Sequence, residues 1–566
     1  MHFKNVLNFL GLWSYPFGLA VSSMTLYLVQ KIQVQSFRLD EKTIKAILIG
    51  GLVAPLFIML LNIYDYLSKG KKEFTPNLSF KKDVTKISDS KKQAMYRKVS
   101  SDDGLLSIKP EGLIFGTQGN KYVTLPVGKE GMRDGVSAVI LGSPGSGKSV
   151  FLTSFLLNNF MQEKPTPVFC LDIKPELARK GVMMGGNSNV KIVDFTDRTK
   201  AGWDVYFSIS KSKKDDEKMR VFDGISRALI VSSNPKDKFF VNNARNILKF
   251  LLLYHFNKGL GFIDGITKVI SEDVGEHIKN VLEDREYCPE GSLVYNGLKK
   301  YDAKDSEAMQ DIVLTLQEHL NIFLNSDIRY QLRDNPIKAN PEDLNNGNSV
   351  FVCLPMYLLD EYEDLLRLLV YQTISTMERR GEDWKQGAVL ILDELARLGK
   401  LENLLPFLAV NRSLGVTCLT AYQDFSQIER IYSKEEARTL MNLSEVTYVL
   451  SCKDQETTKI LSDLIGEYQE EKVSHNRSEL LHCSTGKENV SSEYRRIMEV
   501  ADFQSLRERK EAILIIYGKF FRIKQFRYFE HPAFLKRYNE VLESNKKFDE
   551  RNTIKISDKG EINYEL

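Results

Sequence analysis

The sequence predicts an α/β fold: a mainly parallel sheet with an inserted all-α region, preceded by an N-terminal hairpin of two membrane-spanning helices. Three observations carry this. First, "VSAVILGSPGSGKSVFLTSFLLNNF" (Val136 to Phe160) reads as a buried strand, a glycine-rich turn and an amphipathic helix. Second, short, nearly uninterrupted apolar runs recur, and such runs mark strands covered on both faces, as in parallel sheets. They are "TPVFCLDIKPEL" (Thr166 to Leu177), "VKIVDF" (Val190 to Phe195), "SVFVCLP" (Ser349 to Pro355), "GAVLIL" (Gly387 to Leu392), "GVTCLTAYQ" (Gly415 to Gln423), "VTYVLSC" (Val446 to Cys452) and "AILIIYG" (Ala512 to Gly518). Third, the texture between residues 208 and 331 changes to helical spacing, as in "RNILKFLLLYHF" (Arg245 to Phe256) and "AMQDIVLTLQEHLNIFL" (Ala308 to Leu324).

The N-terminal hairpin follows from hydropathy. Phe9 to Val29 and Ala46 to Tyr64 carry no charged side chain and each is about long enough to cross a bilayer. A signal peptide is the alternative for the first run, but the run is long, follows a single lysine, and shows no small-residue cleavage site. The lysines from Lys69 to Lys92 place the following side in the cytoplasm by the positive-inside tendency. A membrane protein with two spans and both termini cytoplasmic is therefore expected. The resulting divisions are 1–67 hairpin, 68–103 basic linker, 104–207 first α/β part, 208–331 all-α domain, 332–544 second α/β part and 545–566 polar tail.

Composition narrows the class. A chain of 566 residues with 43% hydrophobic content builds more than one sizeable core. Lys and Arg total 78 against 75 Asp and Glu, so any nucleic-acid contact must be a local patch. Cysteines at 170, 288, 353, 418, 452 and 483 are scattered without a Cys-x-x-Cys pair, which favours a reducing compartment and gives no zinc site.

The chemistry concentrates in two motifs. Gly142, Ser143, Pro144, Gly145, Ser146, Gly147, Lys148 and Ser149 fit G-x-x-x-x-G-K-[ST] between a strand and a helix, the context in which a P-loop closes its backbone N–H groups around phosphate. Lys148 is then expected to reach the β- and γ-phosphates of ATP, and the Ser149 hydroxyl to ligate Mg2+. The apolar strand ending in Asp393 and Glu394 supplies the partner motif. Buried carboxylates need an opposing cation. Asp393 is expected to hold the magnesium ion, and Glu394, aimed differently, to orient and deprotonate a water. Gln423, ending the next apolar strand, is either a sensor of the γ-phosphate or a polar strand-end cap. Arg412 is either an exposed salt-bridge arginine or an arginine finger for a neighbouring subunit, and the second reading requires a homo-oligomer whose head-to-tail contacts close into a ring.

These motifs, with "LILDELARLGKLENLLPFLAVNRSLGVTCLTAYQDFSQIERIY" and "RRIMEVADFQSLRERKEAILIIYG", resemble the type IV coupling proteins of conjugation and type IV secretion, the TraG/TraD-like ATPases. The resemblance runs from Leu141 to about Phe529, excepting the helical insertion. It implies a RecA-like nucleotide-binding domain with an inserted all-α domain and a hexameric ring. It also implies an ATPase of the bacterial inner membrane that delivers single-stranded DNA and its relaxase to the type IV secretion channel. By the same resemblance Lys148 and Ser149 match the Walker A residues, Asp393 and Glu394 the Walker B pair, Arg412 an R-x-x-G-V arginine, Gln423 a strand-end glutamine, and Asp172, Lys174 and Glu176 a D-x-K-x-E strand end. Pro175 stands where glycine is common, and Trp203 to Val205 reads "WDV" where W-N-P is expected.

Alternatives share the motor core. An FtsK/HerA-like translocase of double-stranded DNA would carry different membrane segments or a DNA-reading C-terminal domain. A coupling ATPase for protein effectors alone has the same motifs. A vestigial scaffold conflicts with intact Lys148, Asp393 and Glu394, and an ABC-type ATPase lacks its signature here. "LRERK" (Leu506 to Lys510) and "KSKK" (Lys211 to Lys214) either line a central channel or are solvated faces.

Overall fold

The computed structural model describes residues 98–552 except 129–134, 179–188, 210–213, 232–236, 303–306, 381–383, 385 and 476–487. Among the described residues no helix is long and apolar enough to cross a membrane. That finding corrects the expected inner-membrane placement with two spans and cytoplasmic termini. The segments 9–29 and 46–64 on which it rested lie outside the described residues, and the placement is not carried forward.

Sixteen strands are described: β1 (Leu106–Ser107), β2 (Leu113–Gln118), β3 (Lys121–Leu125), β4 (Ser137–Gly142), β5 (Val168–Asp172), β6 (Val190–Asp194), β7 (Gly202–Trp203), β8 (Lys338–Ala339), β9 (Ser349–Cys353), β10 (Ala388–Leu392), β11 (Val416–Tyr422), β12 (Val446–Ser451), β13 (Glu467–His475), β14 (Glu488–Arg496), β15 (Glu511–Ile516) and β16 (Lys519–Gln525). Twelve form one mixed sheet in the order β1-β3-β2-β16-β15-β12-β4-β11-β10-β5-β9-β6. From β12 to β6 neighbouring strands run parallel. From β12 back to β1 every pairing is antiparallel. The expected mainly parallel sheet is thus the larger half of a mixed one.

Alternation along the strands explains why the parallel half reads as continuous hydrophobicity. In β10, Ala388, Leu390 and Leu392 join one core, while Val389 and Ile391 join the other. In β4 the same split sends Val139 and Leu141 one way and Ala138 and Ile140 the other. Both faces are covered, so neither can be polar. The helix Lys148–Phe160 covers the second face with Phe151, Leu152, Phe155 and Leu156. Phe115 of β2, Phe151 and Tyr448 of β12 form a ring cluster with centroids 4.8 to 5.6 Å apart. The Tyr448 hydroxyl donates to the Phe115 carbonyl at 2.6 Å, tying the antiparallel strands to the parallel ones.

Between β7 and β8 all described elements are helical, including Asp215–Leu229, Lys238–Asn257, Phe262–Ser271, Val274–Glu283 and Glu307–Leu320. Their apolar faces join the core that also lies on the β10 face. Asp215, Asp216 and Glu217 open the first of these helices, where carboxylates suit the positive end of its dipole. The helix Leu359–Glu378 bridges the two regions. Its Gln372 accepts from Trp203 Nε1 at 2.8 Å and donates to the Val205 carbonyl at 2.8 Å. The last described element, Pro532–Asn552, packs Phe534 and Val541 against Leu157 and Phe526.

Candidate functional site

Five central strands converge at their C-terminal ends, and the chemistry-bearing residues leave from there. β4 ends at Gly142 and the chain turns through Ser143 to Gly147 into the helix that begins at Lys148. Gly142 can carry no side chain: a Cβ there would stand 2.4 Å from Ser146 Oγ. Gly145 (φ +73°) and Gly147 (φ +109°) take left-handed backbone that an L side chain would strain. The turn is pinned by Ser143 N–H donating to the Ser451 carbonyl of β12 at 3.1 Å and Ser146 N–H donating to Ser143 at 3.0 Å. Ser146 Oγ is buried without a hydrogen-bond partner, and Lys148 Nζ turns back to donate to the Gly142 carbonyl at 2.6 Å. A loop with an orphaned hydroxyl and a partly buried ammonium held on its own backbone fits a phosphate chain. Burial pulls the Lys148 pKa down, and the charges of Glu394 and Asp393 oppose that pull.

β10 lies one strand beyond β11 from β4 and ends at Asp393 and Glu394, 7% and 5% exposed. Burial first, and the neighbouring Glu394 charge second, raise the Asp393 pKa to about 6, while Lys148 and Lys174 pull the other way. Glu394 itself adopts left-handed backbone (φ 50°), unusual for a side chain of its size and a store of roughly 1 kcal/mol of strain. Gln423, just past β11, donates through Nε2 to Glu394 Oε2 at 3.4 Å, and Lys174 Nζ stands 3.6 Å from Glu394 Oε1. Gln423 is held in turn by Gln427, whose Oε1 accepts from its N–H at 3.0 Å. Asp172, at the end of β5, accepts from the N–H groups of Glu176 and Ala178 at 3.1 and 2.8 Å, so it organises its own turn. Burial nonetheless raises its pKa to about 6.

Lys148, Asp393, Glu394, Gln423 and Lys174 are therefore brought together, while Arg412 is not. Arg412 precedes β11, whose seven residues separate it from Gln423 by roughly 25 Å at an ordinary strand rise. Its side chain is 63% exposed and pairs with Glu445 at 3.4 Å. The turn it begins requires Gly415 (φ +63°), where a Cβ would stand 2.2 Å from the Trp384 ring. Two features escaped sequence reasoning. Arg367, 3% exposed in Leu359–Glu378, donates to the Leu398 carbonyl at 2.7 Å and pairs with Glu363 and Asp364, bracing the segment after Glu394. A lone arginine inside "DLLRLLVYQ" was the available signal. Arg507 and Gln525, remote in sequence, lie against the loop itself, as taken up below.

No group of three or more His, Cys, Asp or Glu side chains suited to a metal ion occurs among the described residues. A magnesium ion that keeps most of its shell as water and phosphate oxygens needs fewer protein ligands, and Ser149 with Asp393 fits that requirement.

Sheet, loop and facing acidic strand end define an α/β protein with a phosphate-accepting strand–loop–helix beside buried carboxylates. The chain belongs to the family described as type IV secretory system conjugative DNA transfer, whose model matches residues 85–551. It is 20% identical over 381 residues to the type IV secretion system-coupling protein VirD4 of Bartonella quintana (strain Toulouse), covering 63% of this chain and 57% of that protein. It is 21% identical over 374 residues to the coupling protein TraD of Escherichia coli (strain K12), covering 64% and 49% respectively. The chain thus spans about half the length of these relatives. Among solved structures, the bacterial conjugative coupling protein TrwBdeltaN70 superposes with a TM-score of 0.57 at 18% identity, covering 78% of this chain and 92% of that one. TrwB in complex with a non-hydrolysable ATP analogue superposes with a TM-score of 0.55 at 17% identity, covering 81% and 96%. These structural likenesses bear on the fold.

Proposed function

We propose that this chain is a type IV coupling ATPase, a RecA-like motor that uses ATP and Mg2+ to pass single-stranded DNA with its relaxase to a type IV secretion channel during conjugation. The observation that carries the reading is the meeting of Lys148, Asp393, Glu394 and Gln423 at one sheet end, in a member of the conjugative DNA transfer family. The fold-mate TrwB has been solved with an ATP analogue and with ADP and Mg2+, which supports the same ligands here.

Ser149 and Asp393 would hold a magnesium ion, whose positive charge would offset the negative charge that develops on the phosphate during hydrolysis. Lys148 exchanges the Gly142 carbonyl for phosphate oxygens, and the Walker A backbone from Gly142 to Ser149 encloses them. Glu394 accepts a proton from the water that attacks the terminal phosphorus, and ADP leaves with the bridging oxygen's electron pair. Gln423 holds Glu394 and the water in line, and Lys174 balances the charge of Glu394 between turnovers. Arg412, remote from its own chain's loop, serves the adjacent subunit of a hexameric ring, where an arginine finger contributes roughly 10^3- to 10^5-fold in rate.

The test is ATP hydrolysis by the purified full-length chain with and without single-stranded DNA. DNA raises the rate, and Lys148→Ala, Glu394→Gln and Arg412→Ala each abolish it. Mixing inactive Arg412→Ala with inactive Glu394→Gln restores part of the rate, because a shared interface can unite one intact finger with one intact base. Hydrolysis indifferent to DNA, with Arg412→Ala fully active, would overturn both the ring and the DNA motor and leave a protein-effector ATPase.

A further inference from the structure

The helix Val500–Arg509 is set by Phe503 and Leu506, both fully buried in the core beside β12 and β15. The next residue, Arg507, is therefore fixed in direction although its own side chain is exposed. It points to the glycine-rich loop: a Cβ on Gly145 would stand 3.1 Å from Arg507 Nη2 and 3.6 Å from Nη1. Gln525, at the end of β16, reaches the same loop two residues on, with its Oε1 3.3 Å from where a Gly147 Cβ would be. Gln525 is braced by its Nε2 donating to the Glu511 carbonyl at 2.9 Å and its N–H donating to the Lys510 carbonyl at 2.9 Å.

Neighbouring cations have partners. Lys510 pairs with Glu530 at 2.9 Å and Arg522 with Glu511 at 2.6 Å. Among the described residues no carboxylate pairs with the Arg507 guanidinium. Its nearest surroundings are a loop whose N–H groups and following helix N-terminus carry partial positive charge. A guanidinium beside like charge is unfavourable until an anion lies between them.

We infer that Arg507 is a phosphate-binding residue of its own chain's site, the second protein cation after Lys148 to contact the nucleotide's phosphate chain. This rests on the nucleotide reading proposed above. It also changes the role of "LRERK": at least one of its cations faces the loop and not a channel. The planar fork of arginine suits two phosphate oxygens at once, which a lysine at the same place cannot match.

The test is equilibrium binding of a fluorescent ADP and of a fluorescent non-hydrolysable ATP analogue, with Mg2+, to the full-length chain. Arg507→Ala weakens binding of either nucleotide roughly ten- to a hundredfold, the range for losing a charge-assisted hydrogen bond. Arg507→Lys recovers only part of the loss. The thermal midpoint of the nucleotide-free chain is unmoved by either change, and Arg509→Ala on the same helix leaves affinity intact. Lys148→Ala separates the two layers of inference. If it fails to weaken binding, the nucleotide site itself is wrong. If Lys148→Ala weakens binding and Arg507→Ala does not, the role of Arg507 alone is overturned, and so it is if Arg507→Ala lowers only the affinity for single-stranded DNA.

Discussion

The two ends of β10 and β11 are built to opposite rules. At the C-terminal end Asp393 and Glu394 are buried side by side, Glu394 has left-handed backbone, and Lys148 is partly desolvated. At the N-terminal end the buried polar side chains of Ser137 and Asn411 satisfy each other and the backbone: Ser137 Oγ donates to Asn411 Oδ1 at 2.9 Å, and Asn411 Nδ2 donates to the Val416 carbonyl at 2.8 Å. One end crowds like charges and a desolvated ammonium together under long, weak contacts, with Gln423 and Lys174 3.4 and 3.6 Å from Glu394, and the other completes its bonds with short neutral ones. A strand can thus be a stabilising element at one tip and a destabilised, ligand-seeking one at the other.

Substitutions at the two tips should accordingly differ in sign as well as size. Among the buried positions the largest effect is on rate: Glu394→Gln lowers ATP turnover by roughly 10^2- to 10^4-fold, the usual worth of a positioned base, while nucleotide affinity stays within a few-fold in a filter-binding assay. Next comes Asn411→Ala, which strands buried partners and costs roughly 2 to 3 kcal/mol in denaturant unfolding without changing nucleotide affinity. Smaller and opposite is Asp393→Asn. A carboxyl whose folded pKa is about 6 binds its proton more tightly folded than unfolded, so its contribution is most favourable below pH 4 and is lost as pH rises to 6. The neutral variant escapes that loss, and the nucleotide-free chain gains roughly 2 kcal/mol at pH 7.5. The same variant no longer gains stability from nucleotide and Mg2+. A destabilised Asp393→Asn at that pH would erase the contrast between the tips.

Legibility in the sequence followed the same divide. The parallel strands could be read because burial on both faces leaves no polar residue to interrupt them, and the meeting of Lys148 with the Asp393-Glu394 pair could be read because each motif directly follows one of those apolar strands. The antiparallel half was missed at β1 to β3 and β16, where runs such as "LIFGTQ" and "KFFRIKQ" mix faces and their neighbours are set by pairings distant in sequence. Arg507 was unreadable for that reason. Nothing local distinguishes it from Arg509, and only the return of the chain across the sheet puts it beside Gly145. Arg412 had two open readings, and the structure sets it at the opposite strand end from its own loop, paired with Glu445, so the finger proposed above acts only on a neighbour's site.

The Lys148 hydrogen bond to the Gly142 carbonyl has a kinetic consequence. A partly buried ammonium without an oxygen partner would draw water in and let the loop drift. Docked on the last carbonyl of β4, it keeps an oxygen ligand and a fixed direction, so an anion reaching the loop would exchange one oxygen for another. The loop then needs no rearrangement to receive its charge partner, and repeated exchange of an anionic ligand would leave the seat of Lys148 intact.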